Sequence, residues 1–446
     1  MALWVMGILA FFLGLLVWRF LWLWRASLEE ETGVRFGEET GHLVGDCHLF
    51  CKPSTLAQAL LKSLAQSAEL DARRWPWKNW LNLQTVARFL WPPDHPLEFA
   101  RDHLQLTDRG IVALDWVVGP LSPGTKVFET LDPLVLLVVP NATGRITKNL
   151  HILCRLALQE GFYPVIFNRR GHNGCPLTSL KLQTFADPAD LKEALGYIHF
   201  RYPSATLFAV SEGSGSGLLL SYLGECGSSS SLRGAVCISP LLKAKEWFKR
   251  GCPWWYEWAL LLFQKQEISR YAKVLEEVVK MDRVLESCSL RAFEEALFCN
   301  QKTQSMDWEA YWDRNDPLRD VDEVAVPVLC LCSVDDPIRG PPAETLPWEL
   351  FQSNPYFFLL LSPHGGHCGF FGEGPDSSWG NTVALEYLCT LVEFFRTEET
   401  TSKKLRQKNA VMEQRYHRST VHSREALPPS GHFLQETFSW QRSYTR

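Results

Sequence analysis

The sequence offers little that would hold a metal ion, a disulfide scaffold or a nucleic acid. Its 13 cysteines are scattered over 446 residues, without CxxC pairs or histidine–cysteine clusters at metal-ligand spacing. The odd number argues against a disulfide framework, and the alternation of Cys330 and Cys332 in an apolar run indicates small core residues. The net charge of −5 is small for this length, so no strong field favours nucleic acid as a partner. We therefore predict no metal, no cofactor and no nucleic-acid partner.

What is present is the composition of a large folded domain with appendages. The sequence is 46% hydrophobic and 21% charged, which is typical of a globular protein with a sizeable core. The predicted divisions are an N-terminal helix over residues 1–25, an extension with the first strands over 26–130, a core over 131–396 with a helical cap at about 241–325, and a polar, flexible tail over 397–446.

The N-terminus is strongly apolar. Residues from Ala2 to Trp18 are almost wholly apolar, and after Arg19 the apolar run continues as far as Arg25. As a helix, these roughly 23 residues span about 35 Å, which is enough to cross a bilayer. We therefore predict a membrane anchor. The alternative is a cleaved signal peptide and a secreted protein, against which stand the missing basic n-region and the missing small-residue cleavage site.

The charges around this segment predict its orientation. Arg19 and Arg25 both lie toward its C-terminal side, which by the positive-inside tendency leaves the main domain in the cytosol. Unpaired cysteines agree with a reducing compartment. We expect the endoplasmic reticulum or another endomembrane, with the domain facing the cytosol. One glycosylation triplet, Asn141-Ala142-Thr143, would fit a lumenal domain instead.

From Leu131 onward, short apolar runs alternate with helical patterns. The runs typical of buried strands are Leu134 to Val139, Tyr163 to Phe167, Thr206 to Val210, Gly234 to Ser239, Val326 to Cys332 and Tyr356 to Leu361. This alternation predicts an α/β protein with a mainly parallel, doubly wound sheet covered by helices on both faces.

Between Leu241 and Ala325 the alternation stops, and a helix-rich insertion begins. Insertions at this point commonly cap the pocket at the carboxyl ends of the strands. The insertion carries Trp247, Trp254, Trp255 and Trp258. We interpret these tryptophans mainly as packing within the cap, with acyl-chain or membrane contact as the alternative.

Three polar segments follow strands in the order that an α/β-hydrolase triad requires. A Gly/Ser turn comes first, then Asp336, then His367. In such a triad the histidine takes a proton from the nucleophile, and the carboxylate fixes the tautomer of the histidine. Either residue alone is weak evidence, because an aspartate before a proline is usually part of a turn. Together, at these strand ends, they predict an acid–histidine pair.

Several segments resemble one known family. They are Trp80 to Thr85, Leu114 to Trp116, Phe167 to Gly171, Asp187 to Leu191, Val326 to Cys330 with Asp335 to Pro337, and Gly365 to Phe370. Over roughly Cys47 to Phe395 the chain is similar to the AB hydrolase 4 family of membrane-anchored hydrolases. The resemblance implies an α/β-hydrolase fold with a helical cap, and acyl esters or phospholipids as the substrate class.

The nucleophile turn departs from the family pattern. That pattern reads Gly-x-Ser-x-Gly-Gly, and alignment of both flanks without a gap places Ser211 on the first glycine and Gly213 on the nucleophilic serine. Glycine adopts the strained backbone of this turn at little steric cost, but it has no oxygen with which to attack. The alternative is that Ser211 is the nucleophile, which requires two inserted residues in the following turn.

The expected oxyanion loop also departs. It contains Asn141 and Ala142, and Asn141 replaces a glycine that lets backbone N–H groups approach closely. Arg145 is unexpected there, and Asp316 is expected to bring charge near the floor of the pocket. These departures favour a non-hydrolytic regulator or scaffold of lipid metabolism, which binds a protein partner and has a lipid or acyl chain as a possible ligand. The alternative is an active lipid-ester hydrolase or acyltransferase that uses Ser211, His367 and Asp336.

Overall fold

A computed structural model describes residues 41–71, 75, 97–118, 132–302, 305–373 and 377–419, the last 13 of these without their side chains. The predicted anchor over residues 1–25 lies outside the described residues, as does most of the predicted tail. Within the described part of the chain, no helix combines the length and the apolar character needed to cross a membrane.

Ten strands of the described residues form one sheet. They are β1 (His42–Val44), β2 (Cys47–Cys51), β3 (Glu98–Gln105), β4 (Ile111–Val118), β5 (Leu134–Val139), β6 (Phe162–Asn168), β7 (Thr206–Glu212), β8 (Leu232–Ile238), β9 (Val328–Ser333) and β10 (Phe357–Ser362). Their order is β1-β2-β10-β9-β8-β7-β5-β6-β4-β3. The strands from β10 to β6 run parallel, and antiparallel strands flank them on both edges.

The described helices lie between or after the strands, six of them in succession between β8 and β9. They are α1 (Thr55–Leu64), α2 (Lys148–Gln159), α3 (Ala189–Arg201), α4 (Gly215–Cys226), α5 (Ala244–Arg250), α6 (Trp254–Ser269), α7 (Ala272–Leu275), α8 (Met281–Glu286), α9 (Leu290–Glu294), α10 (Trp308–Asn315), α11 (Pro342–Thr345), α12 (Trp348–Ser353) and α13 (Trp379–Ser419). Side-chain oxygens of Ser54 and Thr147 cap the N-termini of α1 and α2.

The two faces of the sheet form two separate cores. Successive side chains of β7 point to opposite faces. Phe208 and Val210 meet α1, α2 and α13 on one face, whereas Ala209 meets α3, α4 and α12 on the other. Strands covered on both sides are apolar at every position, and all six residues of β5 are buried. The predicted doubly wound α/β fold and the six predicted strands are confirmed.

The cap lies between β8 and β9 and has a core of its own, built around residues such as Trp247, Leu261 and Phe293. Helix α6 is apolar on more than one face, because Leu261 is buried while Trp254 and Trp258 are 72% and 63% exposed. The interpretation of the tryptophans as cap packing is therefore right for Trp247 and wrong for these two.

The last helix passes the predicted start of the tail. Helix α13 runs from Trp379 to Ser419 without interruption, so the change to a polar composition near residue 397 does not coincide with a helix end. Its first half packs on the sheet through residues such as Val383 and Leu388, which are fully buried. Beyond that contact the helix is polar and exposed as far as Arg406.

Candidate active site

The turn between β7 and α4 places Gly213 directly opposite His367. Gly213 has φ +51°, a left-handed conformation that glycine adopts without steric cost. Its N–H donates to the carbonyl oxygen of Ile238 at 2.8 Å, which fixes the turn. A Cβ atom built on Gly213 would lie 3.1 Å from Nε2 of His367. The residue that faces the histidine therefore carries no side-chain atom.

Asp336 and His367 form a buried pair at the carboxyl ends of β9 and β10. Nδ1 of His367 lies 2.9 Å and 3.1 Å from the two carboxylate oxygens of Asp336. The N–H groups of Ile338 and Arg339 also donate to Asp336, each at 2.9 Å. Burial raises the pKa of Asp336, but the charge and hydrogen bond of His367, helped by Arg339, hold its pKa below the ordinary value. The carboxylate thus stays ionised.

Neighbouring hydroxyls hold the histidine loop in place. Oγ of Ser333 donates to the carbonyl oxygen of Gly366 at 2.8 Å. Oγ of Ser239 accepts the N–H of Cys368 at 2.9 Å. Neither serine was predicted as a site residue, although Ser333 ends a strand whose carboxyl end was expected at the site. They fix the loop on both sides of the histidine.

Ser211 lies inside β7 and is fully buried. Its Oγ atom is 2.9 Å from Oγ of Ser216 and donates to the carbonyl oxygen of Val236 at 3.4 Å. Val236 belongs to β8 and Ser216 to α4. The hydroxyl of Ser211 therefore lies on the face of β7 that packs against that helix. The structure therefore does not bring Ser211 and His367 together, and the turn has no inserted residues that would carry Ser211 to the histidine.

The oxyanion loop follows β5 and lies beside the turn. The Cβ atom of Asn141 is 3.7 Å from the Cβ position of Gly213. Oδ1 of Asn141 accepts the N–H and the hydroxyl of Thr143 at 3.0 Å and 2.6 Å, which makes the loop rigid. The N–H of Ala142 donates to Oγ of Ser214 at 2.8 Å. A donor suited to a developing oxyanion is therefore already engaged by a side chain of the turn.

The two other departures in the sequence fall in different places. The guanidinium of Arg145 lies 4.3 Å from the centroid of the Phe263 ring, so it joins the oxyanion loop to the cap by a cation–π contact. Asp316 is exposed at the end of α10. The expectation that it brings charge to the pocket floor is wrong, because the buried face of α10 carries Trp308, Trp312 and Asn315 instead.

A cavity opens between the turn and the cap. Its volume is about 140 Å³, and Asn141, Ser214 and His367 line it. The cap contributes apolar side chains, among them Leu260, Phe263, Ile268, Phe293 and Leu297. Helix α6 also places the ring of Tyr256 at 6.4 Å from that of His367. A cavity of this lining suits an acyl chain better than a polar substrate.

Further polar side chains line this cavity, among them Arg169, His172 and Glu294. Burial lowers the pKa of His172 to about 4 and raises that of Glu294 to about 7. No local signal in the segment from Phe167 to Gly171 shows that its arginines border a cavity. Within the described residues, no group of three or more histidine, cysteine or acidic side chains is arranged to hold a metal ion.

Known proteins place the chain in a family. Human Protein ABHD15 is 55% identical over 413 residues, which cover 92% of this chain and 88% of that protein. Human Phospholipase ABHD3 is 28% identical over 327 residues, 72% of this chain and 78% of that protein. The Monoacylglycerol lipase of Saccharomyces cerevisiae is 24% identical over 258 residues, 56% of each chain. No protein-family model matches the chain. The similarity to ABHD15 over nearly the whole length shows that the chain belongs to the AB hydrolase 4 family of α/β-hydrolase-fold proteins.

Proposed function

We propose that this chain is a non-hydrolytic member of its family, which keeps the fold and the apolar cavity and acts in lipid metabolism as a regulator or scaffold through protein binding. The observation that carries the proposal is Gly213, because a Cβ built on it would lie 3.1 Å from Nε2 of His367 and the ungapped alignment sets this glycine on the family's serine. A histidine base activates a nucleophile only where a nucleophile lies within hydrogen-bond reach.

Two further contacts support the loss of acyl-transfer chemistry. Ser211, the other candidate nucleophile, is buried and hydrogen-bonded to Ser216 of α4 and to the carbonyl oxygen of Val236 in β8. The N–H of Ala142 is engaged by Ser214, and a single oxyanion donor is worth roughly a hundredfold to a thousandfold in rate. The retained Asp336–His367 pair has a structural reason to persist, because each partner satisfies the buried polar atoms of the other.

The lipid context and the location extend the same proposal. ABHD3 is named a phospholipase and the yeast relative a monoacylglycerol lipase, and the mainly apolar cavity is compatible with an acyl chain. We propose that the N-terminal segment tethers the chain to the endoplasmic reticulum or another endomembrane, with the folded domain in the cytosol. At that membrane, the folded domain would bind its protein partner.

Lipid turnover tests the proposal. The full chain and a His367→Ala variant are compared on phosphatidylcholine and monoacylglycerol micelles, with release of fatty acid measured by mass spectrometry. We expect both to release fatty acid at the rate of a protein-free blank, because Gly213 offers the histidine no side-chain oxygen. Turnover by the wild-type chain that His367→Ala abolishes would overturn the proposal.

A further inference from the structure

One buried guanidinium lines the cavity without a bonded partner. Arg169 follows the last residue of β6 and is 8% exposed. Its guanidinium makes no hydrogen bond and no ion pair with any described residue, and its Nη2 atom is buried without an acceptor. Buried charges in proteins are normally paired, because desolvation of an unpaired ion costs several kcal/mol.

The next residue shows what a structural arginine looks like at this place. Arg170 donates to both carboxylate oxygens of Asp190, at 2.7 Å and 2.6 Å. It also donates to Asp108 at 2.8 Å. Both arginines border the cavity, but among the described residues the fold supplies hydrogen-bonded acidic partners to Arg170 and none to Arg169. Arg169 therefore resembles a charged residue whose counter-ion is supplied by a ligand.

The two acidic side chains that line the cavity do not fill that role. Glu267 is paired with Arg270. Glu294 accepts a hydrogen bond from the hydroxyl of Tyr311 and forms no ion pair with Arg169. Burial lowers the pKa of Arg169 to about 10, against the raising effects of Glu294 and Asp190, so the guanidinium remains charged at neutral pH. An anion is the group that would satisfy it.

The rest of the lining limits what can carry this anion. Apolar side chains from the cap and from the loop before α3 surround the cavity, including Leu182, Phe185 and Phe298. A small hydrophilic anion would leave these surfaces uncovered, whereas an amphiphile satisfies both halves of the cavity. We propose that the cavity binds a single-chain anionic lipid, whose carboxylate or phosphate is held by Arg169 and whose acyl chain lies among the apolar side chains of the cap. This proposal rests on the proposed function, since a lipid is kept as a ligand only where it is not consumed.

Binding of three oleoyl lipids tests the proposal. The full chain is titrated by calorimetry with oleic acid, oleoyl lysophosphatidic acid and monoolein, which share a chain and differ in the head group. We expect at least one of the two anions to bind about tenfold or more tightly than the neutral monoolein, because a hydrogen bond to a charged group is worth about that factor. The anion that binds more tightly shows whether the preferred head group is a carboxylate or a phosphate.

Two variants test whether Arg169 binds the anionic head group. Arg169→Met should weaken binding of the preferred anion by about tenfold to a hundredfold and leave monoolein within about twofold. Because the guanidinium has no bonded partner to lose, the ligand-free variant should melt at or above the wild-type temperature. The matched control is Arg201→Met, which removes an exposed arginine at the end of α3 and should change neither affinity.

Two results would overturn the inference: equal affinity for anionic and neutral lipids in the wild-type chain, or anion binding unchanged in Arg169→Met. The first needs no variant and stands even if a variant fails to fold. Fatty acid release is measured in the same samples. Turnover that depends on His367 would overturn the proposed function, whereas the absence of an anion preference without turnover would overturn this inference alone.

Discussion

Restoring a serine at position 213 tests how the turn is built. In Gly213→Ser the new residue must keep φ +51°, which costs a residue with a side chain about 1–2 kcal/mol. Its Cβ would lie 3.1 Å from Nε2 of His367, so the imidazole must yield by a few tenths of an ångström against the hydrogen bond that it donates to Asp336. We expect a loss of about 1–3 kcal/mol in the free energy of unfolding.

The same change should restore reactivity. Oγ extends one bond beyond Cβ, which brings it within hydrogen-bond reach of the histidine. We expect Gly213→Ser to react with a fluorophosphonate, and the double variant with His367→Ala to stay unlabelled, as intact mass spectrometry would show. The control is Gly196→Ser in α3, where an added Cβ meets nothing within 4 Å, and where stability should stay level or rise by a few tenths of a kcal/mol. If Gly213→Ser neither reacts nor destabilises, Gly213 does not occupy the nucleophile position.

The oxyanion loop, the buried Glu294 carboxyl and the Asp336–His367 pair each give a further prediction. Adding Ser214→Ala to Gly213→Ser frees the N–H of Ala142, so labelling should become about tenfold faster or more; an unchanged rate would mean that this N–H is no oxyanion donor. Burial raises the pKa of Glu294 from 4.5 to about 7, so the folded state holds its proton more tightly and wild-type stability falls as the pH rises between these values. Between about pH 5 and about pH 8, the free energy of unfolding of Glu294→Gln in urea should therefore rise relative to that of wild type by up to about 3 kcal/mol. A difference between the two that stays constant over this range would contradict the shift in the pKa of Glu294. Asp336→Ala should cost about 3–5 kcal/mol in the same assay, because it leaves a buried histidine and two N–H groups unpaired; a loss under about 1 kcal/mol would show that the pair is not structural.

The parts of the fold that sequence could predict are those with a strong local signal. Leu134 to Val139 is apolar at every position, and only a strand covered on both faces needs that pattern. The register around Gly213 was also accessible, because strand β7 and helix α4 bound a turn too tight for insertions. The placement of Asp336 and His367 followed from the strands that precede them.

The rest depends on packing that no local pattern encodes. Nothing local distinguishes Arg169, whose Nη2 atom is buried without an acceptor, from Arg170, which is paired with Asp190. The exposure of Trp258 depends on which face of α6 the rest of the cap covers. The bond from Ala142 to Ser214 joins residues 72 positions apart, and only the folded chain brings them together.

Covalent labelling of the wild-type chain tests the central claim most directly. The full chain is incubated with a fluorophosphonate and its intact mass is measured, with Gly213→Ser as the positive control. Because Gly213 faces His367 and Ser211 is buried in β7, we predict that the wild-type mass stays unchanged. A stoichiometric adduct that disappears in Ser211→Ala would contradict the account, since it would make Ser211 the nucleophile of an active hydrolase.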